Sequence, residues 1–312
     1  MTSPSSAKRQ RTEGSDPGDT MKPHLWFDDG NVVLQAEKTV FRVHKSVLGF
    51  NSTFFSDFFS TPLPGEDEEP QHMFEGALCI YDNRKKYAQG RDTMDCQYAA
   101  SLYSSGAKYG VDFLRQEIER RLKIEYPSTL KDWDRSFTGT DVFTSENKDE
   151  FALLINVARE KAKRVVLPAM YAALSRLGNV TLLRMRDSQN LNPWVLETCL
   201  VGTEKLVSAM QQFLLAKTMA LDTTQECLKE AQMHCSRHLS TVIWGVTKAI
   251  CNDGGVKCLD PLNILRYSSQ AVCKDCFGRF KEIYEEMRQH PWHRLPSFFG
   301  LPDWTELRRG DA

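Results

Sequence analysis

The sequence predicts an α+β protein: a small sheet with covering helices, followed by a mostly α-helical C-terminal region. Two apolar runs lie close together near the start, Val32-Val33-Leu34 after the turn signal Asp29-Gly30, and Val40-Phe41-Val43. A polar tip at Glu37-Lys38-Thr39 suits a hairpin between them. Beyond Val43 the period changes. Val47 and Leu48 form one apolar pair, and Phe54, Phe55, Phe58 and Phe59 recur at spacings of one and four, which is one face of a helix capped at Asn51 or Ser52. From about Ser128 onward the apolar residues repeat mainly at helical spacing.

Taken in order, residues 1–23 are rich in Ser, Pro, Gly, Asp and Lys with almost no large apolar side chains. Such a stretch buries too little surface to offset the entropy of ordering, so a disordered tail is expected. Residues 61–76 carry prolines, glycines and an acidic run, which predicts a surface loop, and Ala77 to Tyr81 reads as a third strand. Between Asp82 and Asp95 no apolar period is visible. Tyr98, Leu102 and Tyr109 then mark a helix before Gly110, and Asp112 opens another with Leu114, Ile118 and Leu122 on one face. Pro127 ends it.

Farther on, Phe151, Leu154, Ile155 and Ala158 form one stripe, Leu167-Pro168 starts a helix, and Leu196, Leu200, Val207, Met210 and Leu214 mark a longer one. Thr223 with Glu226 fits a capping box ahead of a long stripe from Leu228 to Ile250. No fixed-period repeat is evident, which argues against a solenoid. The closing stretch from Pro291 to Trp304 alternates prolines with aromatics, and is expected to lie across the helical half and pin it. These signals divide the chain into a tail at 1–23, a sheet-and-helix domain at 24–127 and a helical domain at 128–312.

The order strand, strand, short helix, helix, with Phe41, His44, Val47, Leu48, Ser52, Phe55 and Phe58 at their spacings, resembles the BTB/POZ fold. The wording LWFDDGNVVLQA, TVFRVHKSVL and LPSFFGLPDW is similar to that of the BTB-domain proteins of mushroom-forming (basidiomycete) fungi. The resemblance implies a central helix and a surface strand where 83–96 shows no pattern, so a segment of the domain is missing there. Either a deletion has thinned the domain or an exon is absent from the gene sequence. The second is favoured, because a helix covering a sheet cannot vanish without exposing apolar surface.

The resemblance also implies protein binding without catalysis: a scaffold or adaptor whose partners are other proteins. A homodimer would form near Trp26, Phe27, Val47 and Phe54. Some members of the wider superfamily deliver substrates to cullin-type ubiquitin ligases. Here the segment that would carry much of that contact is the one lacking. His44 is expected to be a packing and hydrogen-bonding residue.

Composition agrees with a binding role. The chain is 41% hydrophobic and 26% charged with a formal net charge of -1, a globular profile without the basic excess of a nucleic-acid binder. No window approaches a membrane span, since the apolar run Phe213 to Leu221 is short and holds Lys217. No apolar signal segment follows Met1, so a cytoplasmic or nuclear location is expected, with reduced cysteines. Lys8-Arg9-Gln10-Arg11 reads as a solvated tail or as a weak nuclear-import signal. Neither a phosphate-cradling loop (GxxxxGK[ST], GxGxxG) nor a HExxH or GxSxG motif occurs, and the expectation is a chain with no catalytic residue.

One chemical spacing stands out, the CxxC of Cys273 and Cys276. Tetrahedral zinc would need two more ligands, and Cys235 with His238, three apart on one helical face, completes an admissible set. That reading gives a zinc-stabilised nuclear regulatory protein. Against it, Cys235 fits the apolar stripe and buried cysteine acts as a small hydrophobe. The preferred expectation is no cofactor.

Overall fold

The structure is a computed structural model that describes residues 25–36, 39–61, 93–137, 142–144, 151–160, 164–187, 191–219, 243–245, 247–248, 257–261 and 273–310. The expected tail at 1–23, the strand at Ala77 to Tyr81, the patternless stretch up to residue 92, the Thr223 capping box and most of the stripe after it lie outside these residues, as do Cys235 and His238. The fold is α+β, and its packing divides the chain into two compact units, 1–86 and 87–312.

In the first unit, β1 (Val32–Ala36) and β2 (Thr39–Val43) pair antiparallel as the sequence predicts, with Leu34 opposite Phe41 and Val32 opposite Val43. Alternation sends Leu34, Phe41 and Val43 into the core and turns Val33 outward. Trp26 adds a parallel bridge to Arg42, and the Phe27 N–H donates to the Arg42 carbonyl at 2.9 Å. Between them the chain turns at Asp28-Asp29. Gly30 is required by close approach, because a Cβ there would sit 3.0 Å from the Arg42 backbone, while the Arg42 Nε–H donates to the Gly30 carbonyl at 2.8 Å.

Two short helices follow, α1 (Lys45–Asn51) and α2 (Thr53–Ser60), separated by Ser52 in an extended conformation. Of the two cap candidates, Ser52 is the one that acts: its Oγ accepts the Phe55 N–H at 3.1 Å. Asn51 instead closes α1, donating from Nδ2 to the Val47 carbonyl.

The second unit is helical. β3 (Met94–Asp95) leads into α3 (Cys96–Lys108), whose N-terminus is capped by the Asp95 carboxylate accepting the Tyr98 N–H at 2.8 Å. Gly110 takes a positive φ of 59° to turn the chain, a conformation open to glycine at little cost, and α4 (Asp112–Glu125) returns with Leu114, Ile118 and Leu122 buried. After α5 (Leu130–Ser136), β4 (Phe143–Thr144) pairs parallel with β3, a contact the sequence did not signal. The helix α6 (Phe151–Glu160) buries Leu154, Ile155 and Ala158, as the stripe predicts, and packs on α3.

A 3-10 turn at Arg164–Val166 precedes α7 (Leu167–Ser175), whose Pro168 sits in the first turn, where a missing N–H costs nothing. Then come α8 (Asn179–Asp187) and the long α9 (Pro193–Met219), and finally α10 (Lys274–His293), α11 (Leu295–Phe298) and α12 (Trp304–Gly310). Of the closing aromatics, Trp292, Phe298 and Trp304 lie in these helices and Phe299 in the turn after α11. Trp292, Phe298, Phe299 and Trp304 are all buried, Trp304 Nε1–H donates to the Trp292 carbonyl at 2.9 Å, and any side chain at Gly202 of α9 would overlap the Phe299 ring. Among the described residues no single helix is long and apolar enough to cross a membrane.

Candidate interaction surface

The apolar residues of the first unit split by helical position. On α2, Phe55 is 2% exposed while its neighbour Phe54 is 38% exposed, because successive residues on a helix point about 100° apart. Phe54 stacks on Phe58 with ring centroids 6.3 Å apart, and Phe55 on Phe59 at 5.9 Å, so the aromatic face is ordered by its own rings. On α1, Leu48 is buried whereas Val47 and Phe50, three apart on one side of the helix, are exposed. Phe50 is 90% exposed. A side chain of this size that remains in water gives roughly 1.5–3 kcal/mol when a partner covers it.

The start of α1 is fixed from the strand side. Asn31 Oδ1 accepts the Lys45 N–H at 2.8 Å, and His44, which makes no cap bond with its own side chain, places Nε2 3.2 Å from the Asp29 carboxylate. The Phe27 ring lies 5.5 Å from the His44 ring. Thus the turn at Asp28-Asp29 and the first turn of α1 are tied together, and His44 has the packing place expected of it, against Phe27, with Asp29 3.2 Å away.

The four residues expected at a self-contact take different positions. Phe27, Val47 and Phe54 are exposed; Trp26 is half-buried at the bridge to β2. Sequence reasoning passed over Phe50 and Val33. The signal for Phe50 was present, since it stands three residues after Val47 and two after the buried Leu48. Val33 was legible as the out-facing member of an alternating strand.

The cysteines are placed more simply. Cys273 is the N-cap residue of α10 and Cys276 is buried in its first turn. Among the described residues no group of three or more His, Cys, Asp or Glu side chains converges as a metal site would require. Burial pushes the Cys199 thiol up to about 12, so that thiol packs and is not a nucleophile at neutral pH.

Residues 27–123 match the BTB/POZ domain, so the hairpin, the aromatic helices and the pair α3–α4 fall within one known module. The match spans the division between the two units at 86/87 and stops short of the helices from α5 onward. No curated protein and no solved structure matches the chain.

Proposed function

From a BTB/POZ domain at residues 27–123, a module that generally serves protein–protein interaction and often dimerises, we propose that this protein is a non-enzymatic scaffold that self-associates through the exposed face of its amino-terminal unit. The observation that carries this reading is Phe50, almost fully exposed beside Val47 on a short helix whose other side is buried. Phe27 and Phe54 extend the apolar surface on the elements before and after α1. An apolar surface of this kind on a soluble domain marks a place where another polypeptide sits. In a second copy of the chain the same side chains would meet their like, as a two-fold interface requires.

Light scattering across micromolar concentrations tests the proposal. The wild-type chain is expected to run as a dimer, and the double variant Val47→Asp, Phe50→Ser as a monomer with unchanged helicity. A wild-type chain that stays monomeric at every concentration removes the self-association reading and leaves adaptor work through a different partner.

A metal-stabilised regulatory role is the second reading, and one placement favours it. Cys273 at the N-cap and Cys276 three residues on stand together at the start of α10, with the spacing of a CxxC zinc-ligand pair. Cys235 and His238 would complete the set. Elemental analysis of the purified protein is expected to find one zinc per chain, lost in Cys273→Ser, if this reading holds; only a trace of zinc ends it.

A further inference from the structure

The short segment Lys257–Pro261 is held by the second unit in the manner of a bound peptide. Its middle residues Cys258, Leu259 and Asp260 are buried, and its own backbone makes one turn, with the Asp260 N–H donating to the Lys257 carbonyl. Three N–H groups from two helices converge on a single carbonyl: Trp133 Nε1 of α5 at 3.2 Å, and Arg288 Nε and Nη2 of α10 at 3.2 and 3.0 Å, all donating to Leu259 O. Tyr284 of α10 donates its hydroxyl to the next carbonyl, Asp260 O, at 2.9 Å. The Asp260 carboxylate accepts from Arg176 Nη2, just past the end of α7, at 2.9 Å.

Each of these reading groups is braced by a contact that does not involve the segment. Arg288 forms an ion pair with both carboxylate oxygens of Asp134 on α5 and with Glu285 Oε2 at 2.7 Å. The Trp133 ring packs on Trp292 and Phe137, with centroids 5.6 and 5.8 Å away, and the Arg176 guanidinium lies 4.8 Å over the Phe137 ring. Tyr284 packs on Phe280. The slot is therefore set by the helices, and such preorganisation is what lowers the cost of taking up a ligand.

The fit of the segment is incomplete. Asp260 Oδ1 and Arg176 Nε are both buried with no hydrogen-bond partner among the described residues, so the ion pair uses one contact where a guanidinium and a carboxylate can form two. Burial accordingly holds the Asp260 carboxyl above its ordinary range despite Arg176, Lys257 and Arg288 nearby. A better-seated carboxylate would gain what this one forgoes.

We propose that the cleft between α5, α10 and the end of α7 is a binding site for a short peptide in which an apolar residue is followed by aspartate, and that Lys257–Pro261 is its resident occupant, displaced when another polypeptide supplies such a segment. Carbonyl reading by Trp133, Arg288 and Tyr284 holds any backbone in this register; Arg176 selects the aspartate. The proposal is independent of the amino-terminal surface and of self-association.

The test uses the full chain and a synthetic peptide copying residues 256–263 with Cys258→Ser. Iodoacetamide labelling is followed by peptide mapping, with Cys258 reporting on the segment and the buried Cys199 on global opening. Excess peptide is expected to raise the labelling rate of Cys258 severalfold and leave Cys199 unchanged, and the same peptide with Asp260→Ala is expected to have no effect. A fluorescent form of the first peptide is expected to bind the chain saturably. Unchanged Cys258 labelling together with no binding overturns the proposal, and so does equal acceleration by both peptides or a parallel rise at Cys199.

Discussion

The two units use apolar side chains in opposite proportions. Among the described residues of the first, Leu34, Phe41, Val43, Leu48 and Phe55 are buried, and as many large apolar side chains, Phe27, Val33, Val47, Phe50 and Phe54, are exposed. In the second, whole helices are interior: α7 is buried along almost its full length, and α10 to α12 bring Trp292, Leu295, Phe298, Phe299, Trp304 and Leu307 inward. A two-stranded hairpin with two short helices is too small to close a core around all of its aromatics. Among the described residues, then, the first unit leaves outside as many large apolar side chains as it buries, while the second buries most of its own and leaves a minority, Trp194 and Trp244 among them, exposed.

The largest effect that bears on this contrast is expected in the closed unit. Trp292 stacks on Trp304 at 5.9 Å, packs on Trp133 and gives its carbonyl to Trp304. Trp292→Ala is expected to cost about 3–5 kcal/mol, because the surrounding rings cannot collapse into the space left. Urea melts followed by the far-ultraviolet helix signal measure it, and a loss below about 1 kcal/mol would mean that the carboxy-terminal helices are a loose cover and not a core.

Phe41→Ala makes the same kind of change in the open unit. Phe41 is 4% exposed and faces Leu34 across the hairpin. The expected cost is about 3 kcal/mol, the low end for a buried phenylalanine, since fewer residues surround it. It should be confined to the first unit. Hydrogen exchange is expected to show lost protection over β1, β2, α1 and α2 with α3 to α12 unchanged; a cooperative loss across both would merge the two units into one.

The same contrast separates what the sequence announced from what it hid. The hairpin, the aromatic helix, the pair α3–α4 and the stripe of α6 were all legible because each rests on a local period of two or of about 3.6 residues. Hidden were the features made by distant pairs. The parallel bridge between Met94 and Phe143 joins residues almost fifty apart with no hydrophobic pattern to announce it. Nothing in the sequence marks Arg288, which is buried against Asp134 and the Leu259 carbonyl. Of the candidate surface, Trp26, Phe27, Val47 and Phe54 were named in advance; Phe50 was passed over although it stands three residues after Val47, at helical spacing.

Phe50 sharpens the comparison from the other side. Because its ring is in water, Phe50→Ser is expected to change the unfolding free energy of the chain by less than about 0.5 kcal/mol. It should weaken self-association by about 1.5–3 kcal/mol, roughly ten- to a hundredfold in the dissociation constant. Sedimentation velocity with the denaturation midpoint measured in parallel checks both halves. A variant that associates as well as the wild type places the contact elsewhere, and one that also unfolds easily returns Phe50 to the core.

The smallest effect is electrostatic and belongs to the closed unit. Glu117 of α4 accepts from Arg120 Nε at 2.9 Å and from the buried Arg121 Nε at 2.8 Å. Burial pushes its carboxyl up, and the hydrogen bonds and charges of the two arginines more than reverse this, leaving its pKa below the ordinary value. A carboxyl lowered in the folded state contributes stability that is fully present above its unfolded pKa and is lost as pH falls through the folded one. Asp260 slopes the other way: burial raises its pKa, so the folded state gains relative stability as its carboxylate takes up a proton on acidification. Glu117→Gln keeps one acceptor for the buried Arg121 but loses the charge, so it is expected to cost about 1 kcal/mol near neutral pH and to make the remaining acid dependence of the second unit shallower. Urea midpoints compared between pH 6 and pH 3, about three units that span the carboxylate range, decide it. An acid slope that is unchanged or steeper would show that Arg121 is held by the packing of α4 alone and that Glu117 merely follows it.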